Sequence, residues 1–427
     1  MTRRLAAAAS PAARLIGPAA RLIVPAARLI LLAATFALAA ATPAPADSWG
    51  APQRLAGPLS LDLAPARIAF SPGGAAAVGF GAQDEDHPAE ARALVVSRSA
   101  HGLLASARRV PGAQEILDLS FDGRALELLA GSAPAGLACC SSAGLELAGG
   151  RGQTIIRTLA GATVGRLLVL PRHVTMAVLG TARGVWVWQS SGGGARRLSP
   201  AAAAPQTLAA EVLPGGRPAV AWSTAGARTL SLWSMGAPRA AITLPRGHAI
   251  DELGLAGGTL AWVESWLDAA GSYHSVVAVA DLARPAHPRA FPVAGLAAGQ
   301  WLAANARGDE LLAWKTCDAA GACTVRAVSR PARRRFGAVQ TLAPIDASQA
   351  PAAAVGPHGA GLVGWIQAGH VYAAAQPRAG GSFADPRQVS ATQYAADLAL
   401  GSAPNGAALA TWTQGTLATS VMAAIHH

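Results

Sequence analysis

Three stretches of this chain follow one pattern: GDELLAW at 308–314, GAGLVGW at 359–365 and GAALATW at 406–412. In each, a glycine turn leads into small apolar residues and then a tryptophan. Looser copies, GRPAVAW and GGTLAW, end at Trp222 and Trp262. A pattern that returns at one place in successive segments indicates a repeated structural unit. The chain is therefore expected to be built from repeats.

The clearest complete unit lies between residues 348 and 390. Its apolar segments are PAAAV, AGLVGWIQ, VYAAAQ and SFADPRQVS, and turn residues such as those at 356–359 separate them. Short apolar runs punctuated by turns predict strands, here four strands of an antiparallel meander. The same order can be laid along the rest of the chain, although the third unit is faint.

Large or apolar residues in the predicted second strands set the period of the repeat. They stand at positions 80, 129, 178, 222, 262, 314, 365 and 412. Repeats of about 40–50 residues with four strands each indicate a β-propeller. We predict an all-β fold of eight sequence units, or seven blades if the third unit is not a full blade. Five of these residues are predicted blade anchors that pack one blade on the next. They are Trp222, Trp262, Trp314, Trp365 and Trp412.

The two ends of the chain complement each other. The eighth unit has no fourth strand before the sequence stops, and SWGAPQRL at 48–55 resembles segments that close later units, such as RFGAVQTL at 335–342. We predict that this N-terminal segment completes the last blade and closes the ring. Closure removes open sheet edges, which otherwise favour aggregation.

The layout resembles the broad class of secreted bacterial β-propellers and is similar to Trp-Asp-repeat and sialidase-like repeat proteins over nearly the whole mature chain. The sequence has no recurring Trp-Asp pair, and the sialidase S-x-D-x-G-x-T-W box is present only as a fragment at 120–123. The resemblance therefore implies the architecture and no particular activity.

The N-terminal segment has the features of a signal peptide. Residues 29–41 form an apolar run, and Ala44-Pro45-Ala46 matches the A-x-A cleavage pattern. We predict a signal peptide over 1–46, a single propeller domain over 47–427, and a secreted or envelope-associated protein. No later stretch predicts a transmembrane segment in the mature chain. The twin arginine at Arg3-Arg4 and a start near Val24 leave the export route and the translation start open.

The charge of the mature chain is modest. Of the 34 Lys and Arg residues, five lie in the leader, so 29 basic residues remain against 23 acidic ones, a charge of +6. The arginines are scattered, and no basic helix or aromatic-basic sheet is evident, so we do not expect a nucleic-acid partner. A solvated surface explains this charge, and an anionic partner such as a cell-wall polymer or lipid surface is the alternative.

The four cysteines form two pairs. Cys317 and Cys323 flank a turn, and on a hairpin this spacing brings two thiols within disulfide reach, so we predict a bond between them. Cys139 and Cys140 are adjacent and fit either a vicinal disulfide or two thiols.

Polar residues near the second-to-third-strand loops are the candidate binding residues. Such loops share one face of a propeller and could meet around its channel, where carboxylates and histidines bind cations or do acid–base work. The alternative is that these are solvated loops, with Asp268 forming a turn. The candidates are Asp84, Asp86, His87, Glu264 and His274.

No nucleophile elbow, phosphate loop, dinucleotide fingerprint or H-E-x-x-H motif occurs, so we assign no catalytic residue, metal or cofactor. The leading hypothesis is an exported, non-catalytic binding or scaffolding protein, monomeric, whose ligand is a protein, glycan or cell-wall polymer. The alternative is a carbohydrate-active hydrolase or lyase using acids near Asp84 and Glu264. An enzyme should gather carboxylates, an arginine and an aromatic at the channel mouth, whereas a scaffold should place Ala, Gly and Ser there.

Overall fold

A computed structural model describes residues 48–59, 66–82, 91–132, 144–149, 152–155, 161–199, 203–226, 228–293, 295–416 and 419–426. These residues form 32 β-strands, β1–β32, and one 3-10 turn. No helix in these ranges is long and apolar enough to cross a membrane. The predictions made for the leader and for individual loop residues lie outside the described residues. Those loop residues are Asp84, Asp86, His87, Cys139 and Cys140.

The strands pair into eight four-stranded antiparallel sheets, the blades of a propeller. In the first four blades the strands follow chain order from the first to the fourth position. Blade 1 consists of β2 (Arg67–Phe70), β3 (Ala76–Ala82), β4 (Arg92–Arg98) and β5 (Arg108–Arg109). Blade 2 consists of β6 (Glu115–Asp122), β7 (Ala125–Ser132), β8 (Gly144–Gly149) and β9 (Gly152–Ile155). Blade 3 consists of β10 (Ala162–Leu170), β11 (Val174–Thr181), β12 (Gly184–Gln189) and β13 (Arg196–Arg197). Blade 4 consists of β14 (Pro205–Val212), β15 (Pro218–Thr224), β16 (Thr229–Trp233) and β17 (Arg239–Thr243).

The remaining blades repeat this order, except that the last one takes its fourth strand from the N-terminus. Blade 5 consists of β18 (His248–Ala256), β19 (Thr259–Leu267), β20 (Tyr273–Asp281) and β21 (Arg289–Pro292). Blade 6 consists of β22 (Leu296–Ala304), β23 (Glu310–Cys317), β24 (Cys323–Arg330) and β25 (Gln340–Ile345). Blade 7 consists of β26 (Ala352–Val355), β27 (Gly361–Gln367), β28 (His370–Gln376) and β29 (Arg387–Gln388). Blade 8 consists of β30 (Ala395–Ser402), β31 (Ala408–Gln414), β32 (Thr419–His426) and β1 (Gln53–Leu59).

The faint third sequence unit is a complete blade, β10 to β13, so the propeller has eight blades rather than seven. The predicted ring closure is also confirmed. Strand β1 pairs antiparallel with β32, with Gln53 opposite Ala423, and Trp49 forms a further bridge to His426. The closing strand runs past the predicted segment, as far as Leu59.

The core consists of eight apolar clusters among the described residues, each of which joins two neighbouring blades. The second-strand tryptophans are buried, and each lies in the cluster that its blade shares with the preceding blade. Trp314, for example, packs against Val263 and Phe291 of blade 5, with 5.8 Å between its ring centroid and that of Phe291. Burying one such side chain contributes about 4–6 kcal/mol as an upper estimate. These side chains hold successive blades together.

Two residues of the series that set the predicted period face the following blade rather than the preceding one. Leu129 belongs to the cluster shared with blade 3, and it is Leu128 that faces blade 1. In the next blade, Val178 likewise faces blade 4 and Ala177 faces blade 2. Side chains alternate between the two faces of a strand, so a one-residue error in alignment reverses the face. The error arose because these strands are apolar on both faces and have no tryptophan to mark the register.

The predicted disulfide between Cys317 and Cys323 is confirmed. The two residues are directly opposite at the ends of β23 and β24, with Cα atoms 4.0 Å apart. The bond closes the hairpin at its loop end.

Candidate binding site at the rim of blade 5

The antiparallel order of each blade places three strand ends at the same edge. In blade 5 these are the start of β18, the end of β19 and the start of β20. The polar and aromatic side chains gathered there are named the blade-5 rim. Its members are His248, Asp251, Glu264, Trp266, Asp268, Tyr273 and His274.

An aromatic stack forms the centre of the blade-5 rim. His248, Trp266 and His274 are directly opposite one another on three adjacent strands. Directly paired residues project from the same face of a sheet, and adjacent strands lie about 4.8 Å apart. The ring centroids of His248 and Trp266 are accordingly 4.6 Å apart, and those of Trp266 and His274 are 5.4 Å apart, with nearly parallel planes. Strand register therefore brings the three rings together.

Glu264 fixes one end of the stack. It lies two residues before Trp266, so it shares the same face of β19, and its Oε1 is 2.5 Å from Nδ1 of His248. Both side chains are largely buried, with 14% and 19% of their surface exposed. The carboxylate orients the imidazole and is itself engaged in doing so.

Asp268 fixes the other end. Its Oδ1 accepts hydrogen bonds from the N–H groups of Ala270 and Ser272, both at 2.9 Å, and its Oδ2 is 2.8 Å from Nε2 of His274. The contact with His274 and then the turn N–H groups lower the pKa of Asp268 below its usual range. Gly271 completes the turn with a φ of 79°, a conformation that glycine adopts without strain. Asp268 thus forms the turn and also holds the imidazole.

Blade 6 has the same turn without the aromatic stack. Asp318 caps the N–H groups of Ala320 and Ala322 at 2.9 Å, as Asp268 does in blade 5. The positions equivalent to Trp266 and His274 hold Thr316 and Thr324, whose hydroxyl oxygens are 3.1 Å apart. The turn belongs to the repeat, whereas the stack is a departure from it. Departures of this kind on one face of a repeat protein are where binding surfaces usually lie.

The stack borders exposed apolar surface. Leu267 and Tyr273, paired at the end of the β19–β20 hairpin, are 64% and 49% exposed. The hydroxyl of Tyr273 donates a hydrogen bond to Oδ2 of Asp251 at 3.3 Å. The blade-5 rim thus combines apolar surface with oriented hydrogen-bonding groups, the combination found in ligand sites.

The structure places the two described candidates differently from the sequence prediction. Glu264 lies within β19 and His274 within β20, whereas the loop between these strands covers only residues 268–272. The structure nevertheless brings them to one edge, through contacts with His248 and Trp266 that the sequence reasoning missed. Trp266 follows Trp262 by four residues on the same strand face, which was the available signal.

The first strands of the blades also carry charged residues, but these residues connect neighbouring blades. Asp118 accepts a hydrogen bond from the N–H of Leu167 at 2.7 Å, and Glu252 accepts hydrogen bonds from Gly299 at 2.7 Å and Gln300 at 2.5 Å. Each contact links the first strand of one blade to that of the next. Burial raises the pKa of Asp118, and nearby positive charge opposes that effect. These carboxylates hold the ring together from the inside.

Two carboxyl groups of the blade-5 rim orient its histidines. Within the described ranges, no three or more His, Cys, Asp or Glu side chains are grouped so as to hold a metal ion. The carboxyl groups of Glu264 and Asp268 already hold histidines or turn N–H groups, and a general acid or base must reach the substrate proton. The partly exposed imidazole of His274 at the end of the stack, with its oriented polar neighbours, suits contact with a sugar ring or an extended peptide.

Comparison with known proteins shows architectural likeness only. No family model and no curated protein matches the chain. Among solved structures, YCF48 bound to D1 peptide is 12% identical, with 89% of this chain and 94% of that chain covered and a TM-score of 0.45. A protein of unknown function from Dyadobacter fermentans DSM 18053 is 9% identical, with 90% and 99% covered and a TM-score of 0.42. The polysaccharide lyase Uly1 is 8% identical, with 84% and 89% covered and a TM-score of 0.43.

Proposed function

We propose that this chain is an exported, non-catalytic binding protein that works as a monomer and holds its ligand at the blade-5 rim. The observation that carries the proposal is the ordered stack of His248, Trp266 and His274 at an edge where the neighbouring blade has only small residues in the equivalent positions, an alanine and two threonines. Both ends of the stack are fixed by carboxylates, so little side-chain freedom is lost when a ligand binds. Preorganisation of this kind raises affinity.

The engagement of the acids favours binding over glycoside hydrolysis, one form of the alternative function as a carbohydrate-active hydrolase or lyase. A glycoside hydrolase commonly needs two carboxyl groups that face the scissile bond. Glu264 is held by His248, and Asp268 is held by its turn and His274. Using either acid for proton transfer would break the contacts that order the stack.

Export is part of the proposal. Its support is the A-x-A pattern that ends at Ala46, together with the Cys317–Cys323 disulfide, since such bonds persist in oxidising compartments. N-terminal sequencing of the protein recovered from outside the cytoplasm tests it directly. We expect the mature chain to begin at Asp47. A mature chain that keeps residues 29–41 would contradict the proposal.

A glycan array, followed by titration calorimetry with the best ligand, tests the binding site. We expect Trp266→Ala to weaken binding about tenfold or more, because it removes the ring that packs both imidazoles in place, and each stacked pair contributes about 0.5–1.5 kcal/mol. Tyr394→Ala is the matched control, because Tyr394 is 61% exposed at the start of blade 8 and lies outside the blade-5 rim. Equal losses in the two variants would refute the site. Turnover of a bound glycan, abolished by Glu264→Gln, would refute the non-catalytic function.

A further inference from the structure

A cleft opens on the other face of the propeller, between blades 5 and 6. It lies at the start of β19 and the end of β20, the ends of those strands that are farthest from the blade-5 rim. Its volume is about 630 Å³, within the usual range for ligand sites. Its walls come from the third-to-fourth-strand connections of the two blades, 281–289 and 330–336. The first connection supplies Asp281, His287, Pro288 and Arg289 to the lining, and the second supplies Arg330, Arg335 and Phe336.

The two connections that form the walls are rich in arginine, and three of these arginines line the cleft itself. Together the two connections contain six arginines, one histidine and a single acid, Asp281. Among the described residues, two buried carboxylates also contact them, Glu310 through Arg330 and Asp309 through the N–H of Ala332. The arginines thus exceed these three acids by three, whereas the whole mature chain has an excess of six. The arginines are Arg284, Arg289, Arg330, Arg333, Arg334 and Arg335.

Two of these arginines build the cleft. Arg330 donates to both carboxylate oxygens of Glu310, at 2.9 and 2.7 Å, and lies 5.0 Å over the ring of Phe336. Arg289 reaches from blade 5 to the carbonyl oxygens of Phe336 and Gly337, at 2.5 and 3.3 Å. These contacts fix the position of one wall against the other.

The side chains of the other four arginines are exposed to solvent. Arg284, Arg333, Arg334 and Arg335 are exposed, and within the described part of the chain no hydrogen bond or ion pair engages their side chains. Arg333 has a φ of 60°, uncommon for a residue with a Cβ, in a turn closed by the N–H of Arg334 and the carbonyl of Pro331. The turn projects neighbouring positive charges from the wall.

We propose that this cleft binds an anionic polysaccharide segment whose charges are carboxylates. Positive charges on both walls match a chain with repeated negative charges better than a single small anion. Phe336 is the only phenyl, tyrosyl or indole ring in the described lining, and it is 6% exposed with Arg330 over it. An aromatic peptide anchor or a stacked base would need an exposed ring. A carboxylated sugar chain does not.

The test uses the mature chain and polygalacturonate, with binding measured by calorimetry at 50 and 200 mM NaCl. The variant R333Q/R334Q/R335Q removes three charges from one wall. We expect affinity to fall about ten- to hundredfold at the lower salt concentration, and the salt dependence to weaken. The control R108Q/R109Q/R124Q removes three exposed charges from blades 1 and 2, and we expect it to retain affinity within about twofold. Thermal midpoints of both variants report whether they remain folded, and R335E alone provides a second, smaller change.

Several outcomes would overturn the proposal. One is that the protein does not bind polygalacturonate at 50 mM NaCl. Another is that the two triple variants lose equal affinity. A third is that polyglutamate or duplex DNA binds as tightly as polygalacturonate and with the same dependence on Arg333–Arg335. The site is also separable from the blade-5 rim. Trp266→Ala should leave polygalacturonate affinity unchanged, so either site can fail without the other.

Discussion

Glu211 makes the stability of the propeller depend on pH. It lies at the end of β14, where its Oε1 accepts a hydrogen bond from the N–H of Gly258 in blade 5 at 2.8 Å. Burial is the main influence on its carboxyl group, with help from the charge of Glu310 and opposition from the N–H groups of Gly258 and Gly257. The result raises the pKa of Glu211 from 4.5 to about 7.

A raised pKa means that the folded chain holds this proton over a pH range in which the unfolded chain has lost it. The free energy of unfolding therefore falls as pH rises from about 4.5 to 7 and is constant above that range. At 1.36 kcal/mol for each pH unit, the loss is at most about 3 kcal/mol. Glu211→Gln removes the titration and keeps an oxygen that can accept from Gly258. We expect it to stabilise the protein by about 2–3 kcal/mol at pH 8 and by little at pH 4.

Guanidinium unfolding of the wild type and Glu211→Gln at both pH values measures this effect. Carboxyls that do not interact with Glu211 titrate equally in both proteins, so the difference between the two reports Glu211 together with its coupling to Glu310. Asp385→Asn, at an exposed loop position, is the control and should change the free energy of unfolding by less than about 0.5 kcal/mol at either pH. A stabilisation by Glu211→Gln that is the same at pH 4 and pH 8 would refute the reasoning.

Three further predictions concern packing, cross-linking and the blade-5 rim. Trp314→Ala should lower the free energy of unfolding by about 3–5 kcal/mol. Trp314→Phe should lower it by much less, because the indole N–H of Trp314 has no hydrogen-bond partner in the described structure. Thermal and denaturant unfolding will show whether the two variants differ. Replacing Cys317 and Cys323 by alanine should lower stability by about 2–3 kcal/mol, since the closed loop is short, and the effect should vanish if the wild type is compared in reductant. Glu264→Gln should leave ligand affinity within about threefold of the wild type, because the amide oxygen can still accept a hydrogen bond from His248. Glu264→Ala should weaken binding further, because it frees the imidazole. Equal affinities for the two variants would count against the orienting contact.

The predicted and observed folds agree where a local signal marks the strand. Tryptophans label the second strands of blades 4 to 8, and turn residues separate the strands, so the period and the four-strand unit could be read directly. The alignment failed at Leu129 and Val178, where both strand faces are buried and one register looks like the next. The third unit was faint for the same reason, yet it forms a complete blade.

The amino-acid sequence alone determined the repeat, the closing role of the N-terminal strand and the disulfide, because each depends on spacing along the chain or on the count of strands. Only the tertiary structure decided which residues form sites. The stack of His248, Trp266 and His274 depends on the register of three strands, and the basic cleft joins two connections about 47 residues apart. Contacts between neighbouring blades arise from closure of the ring, and no local pattern in the chain specifies which side chains will meet across them.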